Sequence, residues 1–176
     1  MYKILPIDGK EYKLEYTIEA ALYDNCVEKI IDFFGKLSVF ENEESITNGM
    51  EKDKKFEVRV KLMQQALSGV FNLPETALVV FYAGLLEYHG ECGDNTVKTI
   101  NDAKQIVKKY FQEHAEDGKD NFYDLLSICM QQMEEDGFLK RTGLETFLSQ
   151  IKMETKKLEE KLKPNRATRR AKASAK

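Results

Sequence analysis

His89 and Cys92, three residues apart, come nearest in this chain to a pair whose types and spacing could do chemistry, as half of a metal site. A structural zinc site needs four such ligands, and no second Cys/His pair stands at ligand spacing, so the pair reads as part of a turn and no metal is expected. His114 also falls near a helix end. Cys26, Cys92 and Cys129 are odd in number and contain no CxxC, which predicts three reduced thiols, buried or half-buried. Cys129 falls on a face that should point inward, where a thiol is inert. The acid clusters Glu116-Asp117 and Glu134-Glu135-Asp136 end two expected helices. Carboxylates there oppose the helix dipole and weakly invite an external positive partner; solvated helix ends are the plainer account. Gly90-Glu91-Cys92-Gly93 is too short for a phosphate loop and follows a helix rather than a strand. These residues give no catalytic set, so the expectation is a binder without enzymatic activity and without a cofactor.

Charge points the same way. Lys163 to Lys176 carry six of the 27 bases and none of the 30 acids, so the rest of the chain is net −9. This tail has no large apolar residue and cannot bury enough surface to offset the entropy of ordering it, which predicts a mobile end. A charged mobile end on an anionic body is suited to contacting something else. Arg166, Arg169 and Arg170 can clamp partner carboxylates. Without interleaved aromatics, the run offers no base stacking, and any nucleic-acid affinity would be salt-sensitive and sequence-blind.

The elements that position these residues follow from periodicity. Tyr2 to Ile7 and Glu11 to Tyr16 flank Asp8-Gly9, a β-hairpin signal, with Tyr12, Leu14 and Tyr16 on one face. Thr17 should cap a helix whose stripe is Ile18, Leu22, Cys26, Ile30 and Phe34, stopping at Gly35. A loop over 36–52 and a helix from Asp53 to Phe71 follow, the latter with Phe56, Val60, Met63, Leu67 and Val70 on one side. Pro74 should then open the next helix, ending near Gly90, whose ALVVFYAGLL is apolar on nearly every face. Asp94-Asn95 should open a helix to about Gly118, Asp120 or Asn121 the next to Gly137, and a last one spans about Thr142 to Leu162. Its stripe, Leu144, Phe147, Leu148 and Ile151, thins beyond Ile151, so it should project or dock on a partner. No apolar run approaches the roughly 18 residues of a membrane helix, and the charged start MYKILPIDGKEYK lacks a signal-peptide core.

The hairpin-to-helix run IDGKEYKLEYTIEAALYDNCVEKIIDFF resembles the start of tail assembly chaperones of long-tailed phages that infect Gram-positive bacteria. The helices ETALVVFYAGLLEYHG and NDAKQIVKKYFQE, a short helix ending in EEDGF and the terminal NRATRRAK are similar to later parts of that family. The resemblance covers residues 3 to 137 and the tail. It implies a protein that coats the helical tape-measure protein, keeps it soluble, helps recruit tail-tube subunits and leaves before the virion is complete. It also implies action in the cytoplasm of the infected host, absence from the mature virion, and a capacity for self-association.

The expectation is thus a mainly α fold: a compact domain of five to six helices with an N-terminal β-hairpin and a basic, mobile tail. Residues 1–140 form the body, 141–163 a projecting amphipathic helix and 164–176 the tail. The expected partner-binding residues are Leu144, Phe147, Leu148, Ile151, Arg166, Arg169 and Arg170. The expected partners are the tape-measure and tail-tube proteins, with no membrane and no specific nucleic acid. The rival function is a small nucleic-acid-associated or regulatory adaptor acting through its basic tail.

Overall fold

In the computed structural model, residues 1–41 and 47–146 are described. The fold is mostly helical with an N-terminal two-stranded antiparallel hairpin, as the sequence indicates. Strands β1 (Lys3–Ile7) and β2 (Lys10–Leu14) pair from Lys3 opposite Leu14 to Ile7 opposite Lys10. Asp8 (φ 52°) and Gly9 (φ 69°) both take positive φ, which a two-residue primed turn demands and which Asp-Gly adopts readily. Leu5, Ile7, Leu14 and Tyr16 are buried, so the alternation seen in the sequence does face the helices.

After the hairpin the chain forms a short α1 (Ile18–Leu22), breaks at Tyr23, and resumes as α2 (Asp24–Glu41). One continuous helix was expected here. The break comes from Tyr23, extended at ψ 99°, whose ring meets Tyr82 edge-on at 5.3 Å. The change of phase turns Ile18 and Leu22 outward, at 72% and 71% exposed, while Ala20, Cys26, Ile30 and Phe33 go inside. Gly35 does not stop α2, which continues to Glu41 where a loop over 36–52 was expected.

The centre of the fold is α3 (Lys52–His89), one unbroken helix where two were expected. Pro74 lies inside it rather than at a first turn. An interior proline costs about 3 kcal/mol because it withholds an N–H and crowds the preceding turn. Enclosure of the following residues offsets this: Ala77, Val79, Val80, Phe81, Tyr82, Ala83 and Leu85 are all buried. This helix also contains a window of mean hydropathy 1.4, long and apolar enough by composition to cross a membrane. Half of that window is buried in the fold, as expected of a core helix.

α4 (Ile100–His114) and α5 (Phe122–Glu135) complete the packing around α3. α4 begins later than Asp94-Asn95, because Thr99 and Asp102 form a reciprocal capping box there. Asn121 caps α5 by accepting from the Asp124 N–H. Gly137, at φ 64°, ends it and leads into α6 (Phe138–Arg141), a single turn that periodicity did not reveal. Residues 144–146 are again helical.

Candidate protein-docking surface

Of the sequence-derived partner residues, Leu144 is described, and it is only 4% exposed. It is therefore closed into the body rather than offered to a partner. The neighbouring Arg141 is tied in too, its Nη2 donating to the Tyr16 carbonyl at 2.9 Å. The packed body accordingly extends past residue 140. Phe147, Leu148, Ile151, Arg166, Arg169 and Arg170 lie outside the described residues, as do residues 147–163 of the expected projecting segment and the basic tail.

The His89 region resolves into a clamp. The Lys13 N–H donates to His89 Nε2 at 2.9 Å, so the ring proton sits on Nδ1 and is given to Asp94 Oδ2 at 2.9 Å. Asp94 also accepts from the Thr96 hydroxyl at 2.6 Å and the Thr96 N–H at 3.0 Å. Burial alone would raise the Asp94 pKa, but these hydrogen bonds outweigh it and leave the carboxyl below its ordinary value. The pair looks like the base and orienter of a catalytic dyad, but the nitrogen that would take a substrate proton is already engaged by backbone. Its effect is to fasten β2 to the end of α3.

Cys92 is exposed, contrary to expectation, with Glu19 Oε1 3.8 Å from its Sγ. The Glu19 carboxylate, ahead of burial, pushes this thiol pKa up, which disfavours the thiolate. It borders a depression of about 170 Å³ lined by Tyr82, Leu86 and Lys98 among others, below the roughly 300–1,000 Å³ of ordinary ligand pockets. Cys26 and Cys129 are buried as expected, and burial pushes both thiols up to about 12. Among the described residues no group of three or more His, Cys, Asp or Glu is arranged to hold a metal.

The acid cluster at the end of α5 is also spoken for in part. The Asp136 side chain is 1% exposed and accepts from the Tyr16 N–H at 2.8 Å and from Gln132 Nε2 at 2.9 Å. Its positive neighbour among the described residues is the Met1 ammonium at 3.2 Å.

The open chemistry of the surface lies on the first half of α3. Phe56, Val60, Met63, Leu67 and Val70 recur at alternating four- and three-residue steps on one face, joined by Phe71. They are 70%, 38%, 56%, 45%, 53% and 79% exposed. The sequence placed the first five on one side of a helix, which is correct, but the side that goes inward is another. Leu62 is buried at 7%, and Val58, Ala66 and Leu73, on the same side, are partly covered. This half of α3 has two apolar stripes, and the richer one faces out. The clue lay in the sequence, where Val58, Leu62, Ala66 and Leu73 form a second apolar series on another side of the same helix.

Comparison with family models, curated proteins and solved structures returns no match for this chain.

Proposed function

We propose that this protein is a tail assembly chaperone of a long-tailed phage, which binds the helical tape-measure protein through the open stripe of α3. In this role it keeps the partner soluble, helps recruit tail-tube subunits in the host cytoplasm, and leaves before the virion is finished.

The supporting observation is the run Phe56, Val60, Met63, Leu67, Val70 and Phe71, apolar, contiguous and left uncovered by the other described residues. A protein folding alone rarely leaves such a patch without a partner. The alternation of four- and three-residue steps suits a second helix laid along the first, its side chains seated between these. A tape-measure protein is long and helical, and its own apolar stripes aggregate when bare. The resemblance of the hairpin, the YAGL helix and the following helix to tail assembly chaperones supports the same assignment.

Co-expression with a tape-measure protein from the same phage provides the test. The tape-measure protein should be soluble with the wild-type chain and aggregate with the Val60→Glu/Met63→Glu variant, provided the variant keeps its helical circular dichroism. A tape-measure protein equally soluble with both would overturn the assignment of the surface.

A further inference from the structure

We infer that the C-terminal segment 147–163 lies back along the open stripe of α3 as an antiparallel helix, a displaceable strap that holds the surface until a client takes it. This rests on the reading of the stripe as a helix-docking surface and adds how access to it is regulated.

Spacing is the first ground. Val70, Leu67, Met63, Val60 and Phe56, read down α3 towards its start, lie three, four, three and four residues apart. Leu148, Ile151, Thr155, Leu158 and Leu162, read forwards, have the same steps in the same order. Laid antiparallel, the two meet layer by layer: Val70 on Leu148, Leu67 on Ile151, Met63 on Thr155, Val60 on Leu158 and Phe56 on Leu162. Phe71 flanks the first of these layers.

The point where the chain leaves the body is the second. Arg141 is tied to the Tyr16 carbonyl at 2.9 Å, and the Tyr16 hydroxyl to the Val80 carbonyl at 3.0 Å, so the chain departs beside the enclosed half of α3. From the level of Val80 to that of Val70 is about 15 Å of helical rise, and the chain from Arg141 to Leu148 spans up to about 25 Å. A parallel lay would have to begin at Phe56, about 36 Å from Val80, beyond that reach. The far end agrees. Leu162 is the last large apolar residue of the chain, and Pro164 halts a helix just after it. Phe56 is the first residue of the stripe, preceded by Lys52, Asp53, Lys54 and Lys55. Strap and stripe run out together.

The fit is one that yields. Thr155 puts a hydroxyl into the Met63 layer, so this position contributes little to the closure. At the rim Lys152 comes beside Gln64 and Glu154 beside Ala66, without conflict. Further along, Glu159 meets Glu57 and Lys161 meets Arg59, and like charges loosen the Phe56 end. A client helix with an apolar residue in every layer binds the stripe better than the strap does and displaces it from that end.

Disulfide trapping in the full chain is the test. In a Cys92→Ser background, Val60→Cys/Leu158→Cys should close an intramolecular disulfide under mild oxidation, at a rate independent of protein concentration. Val60→Cys/Leu148→Cys, the pair that a parallel lay would bring together, should not. Added tape-measure protein should slow the first reaction, and Ile151→Glu/Leu158→Glu should bind that protein about tenfold more tightly than the wild-type chain does. Failure of the Val60/Leu158 pair to close overturns the strap, and so does its closure only as covalent dimers, which would give the stripe to another copy. Closure of the Val60/Leu148 pair instead overturns the antiparallel lay. Unchanged affinity in the Ile151→Glu/Leu158→Glu variant overturns the regulatory role. A strap that closes while the tape-measure protein stays insoluble rejects the chaperone reading alone; a soluble tape-measure protein without closure rejects the strap alone.

Discussion

Asp136 and Tyr16, 120 residues apart, are joined by a hydrogen bond of 2.8 Å from the Tyr16 N–H to Asp136 Oδ2. The Tyr16 carbonyl is taken by Arg141 at 2.9 Å, and its hydroxyl donates to the Val80 carbonyl at 3.0 Å. One residue at the exit of the hairpin is thus held through its backbone by the C-terminal part of the body and through its side chain by the central helix. Removing the Asp136 carboxylate leaves a part-buried N–H without an acceptor. Asp136→Ala should cost about 2–3 kcal/mol in urea unfolding, and Asp136→Asn less, since it keeps one carbonyl oxygen.

Gly84 explains why the apolar helix carries YAGL. A Cβ there would stand 2.5 Å from Leu14 Cδ1 and 2.8 Å from Tyr16 Cζ, and the Gly84 carbonyl accepts the Glu15 N–H at 2.9 Å. The hairpin lies directly on backbone. Gly84→Ala should destabilise by about 1–3 kcal/mol in spite of alanine's better helix propensity. A neutral result in thermal unfolding would show that Leu14 and Tyr16 can move aside.

Leu62 and Met63 are neighbours in sequence with opposite environments, 7% and 56% exposed. Leu62→Ala should cost about 2 kcal/mol or more, whereas Met63→Ser should stay within about 0.5 kcal/mol. Equal losses in denaturant titrations would mean that the outward stripe is covered in solution.

The thiols should separate by accessibility. Alkylation of the native protein should modify Cys92 alone, slowly near neutral pH because Glu19 raises its pKa, and all three cysteines once denatured. Mass spectrometry reads the count directly. A second adduct on the folded chain would mean that Cys26 or Cys129 is not enclosed.

Acid should loosen the start of α4. Hydrogen bonds from Thr99, its N–H foremost and then its hydroxyl, hold the Asp102 carboxyl below its ordinary value of 3.8. A carboxyl lowered by folding adds stability that is full above its unfolded pKa and lost as pH falls through the folded one. The wild-type chain should therefore lose stability below about pH 4 more steeply than Asp102→Asn. Parallel acid limbs in the two melting profiles would show that the capping box carries no such linkage.

Much of this fold was legible because local signals and burial agreed. Asp8-Gly9 set the hairpin turn, Asn121 and Gly137 bounded α5, and the even apolarity of 77–86 marked the enclosed helix. The misses share a cause. Tyr23 breaks the first helix to reach Tyr82, and Pro74 is tolerated inside α3 because the residues after it are buried, both decided by tertiary packing. The outward stripe of α3 was visible as a stripe but not as an open one. Periodicity reports that a face is apolar without saying whether the covering partner belongs to the same chain.

Pro74 also has a mechanical consequence. It stands between the outward-facing stripe, which ends at Phe71, and the enclosed stretch that begins at Thr76. Lacking an N–H, it leaves the Val70 carbonyl without its usual in-helix donor, so flexing costs least there. The segment from Lys52 to Phe71 can then swing as a lever on a fixed base, changing its tilt while the interior stays undisturbed.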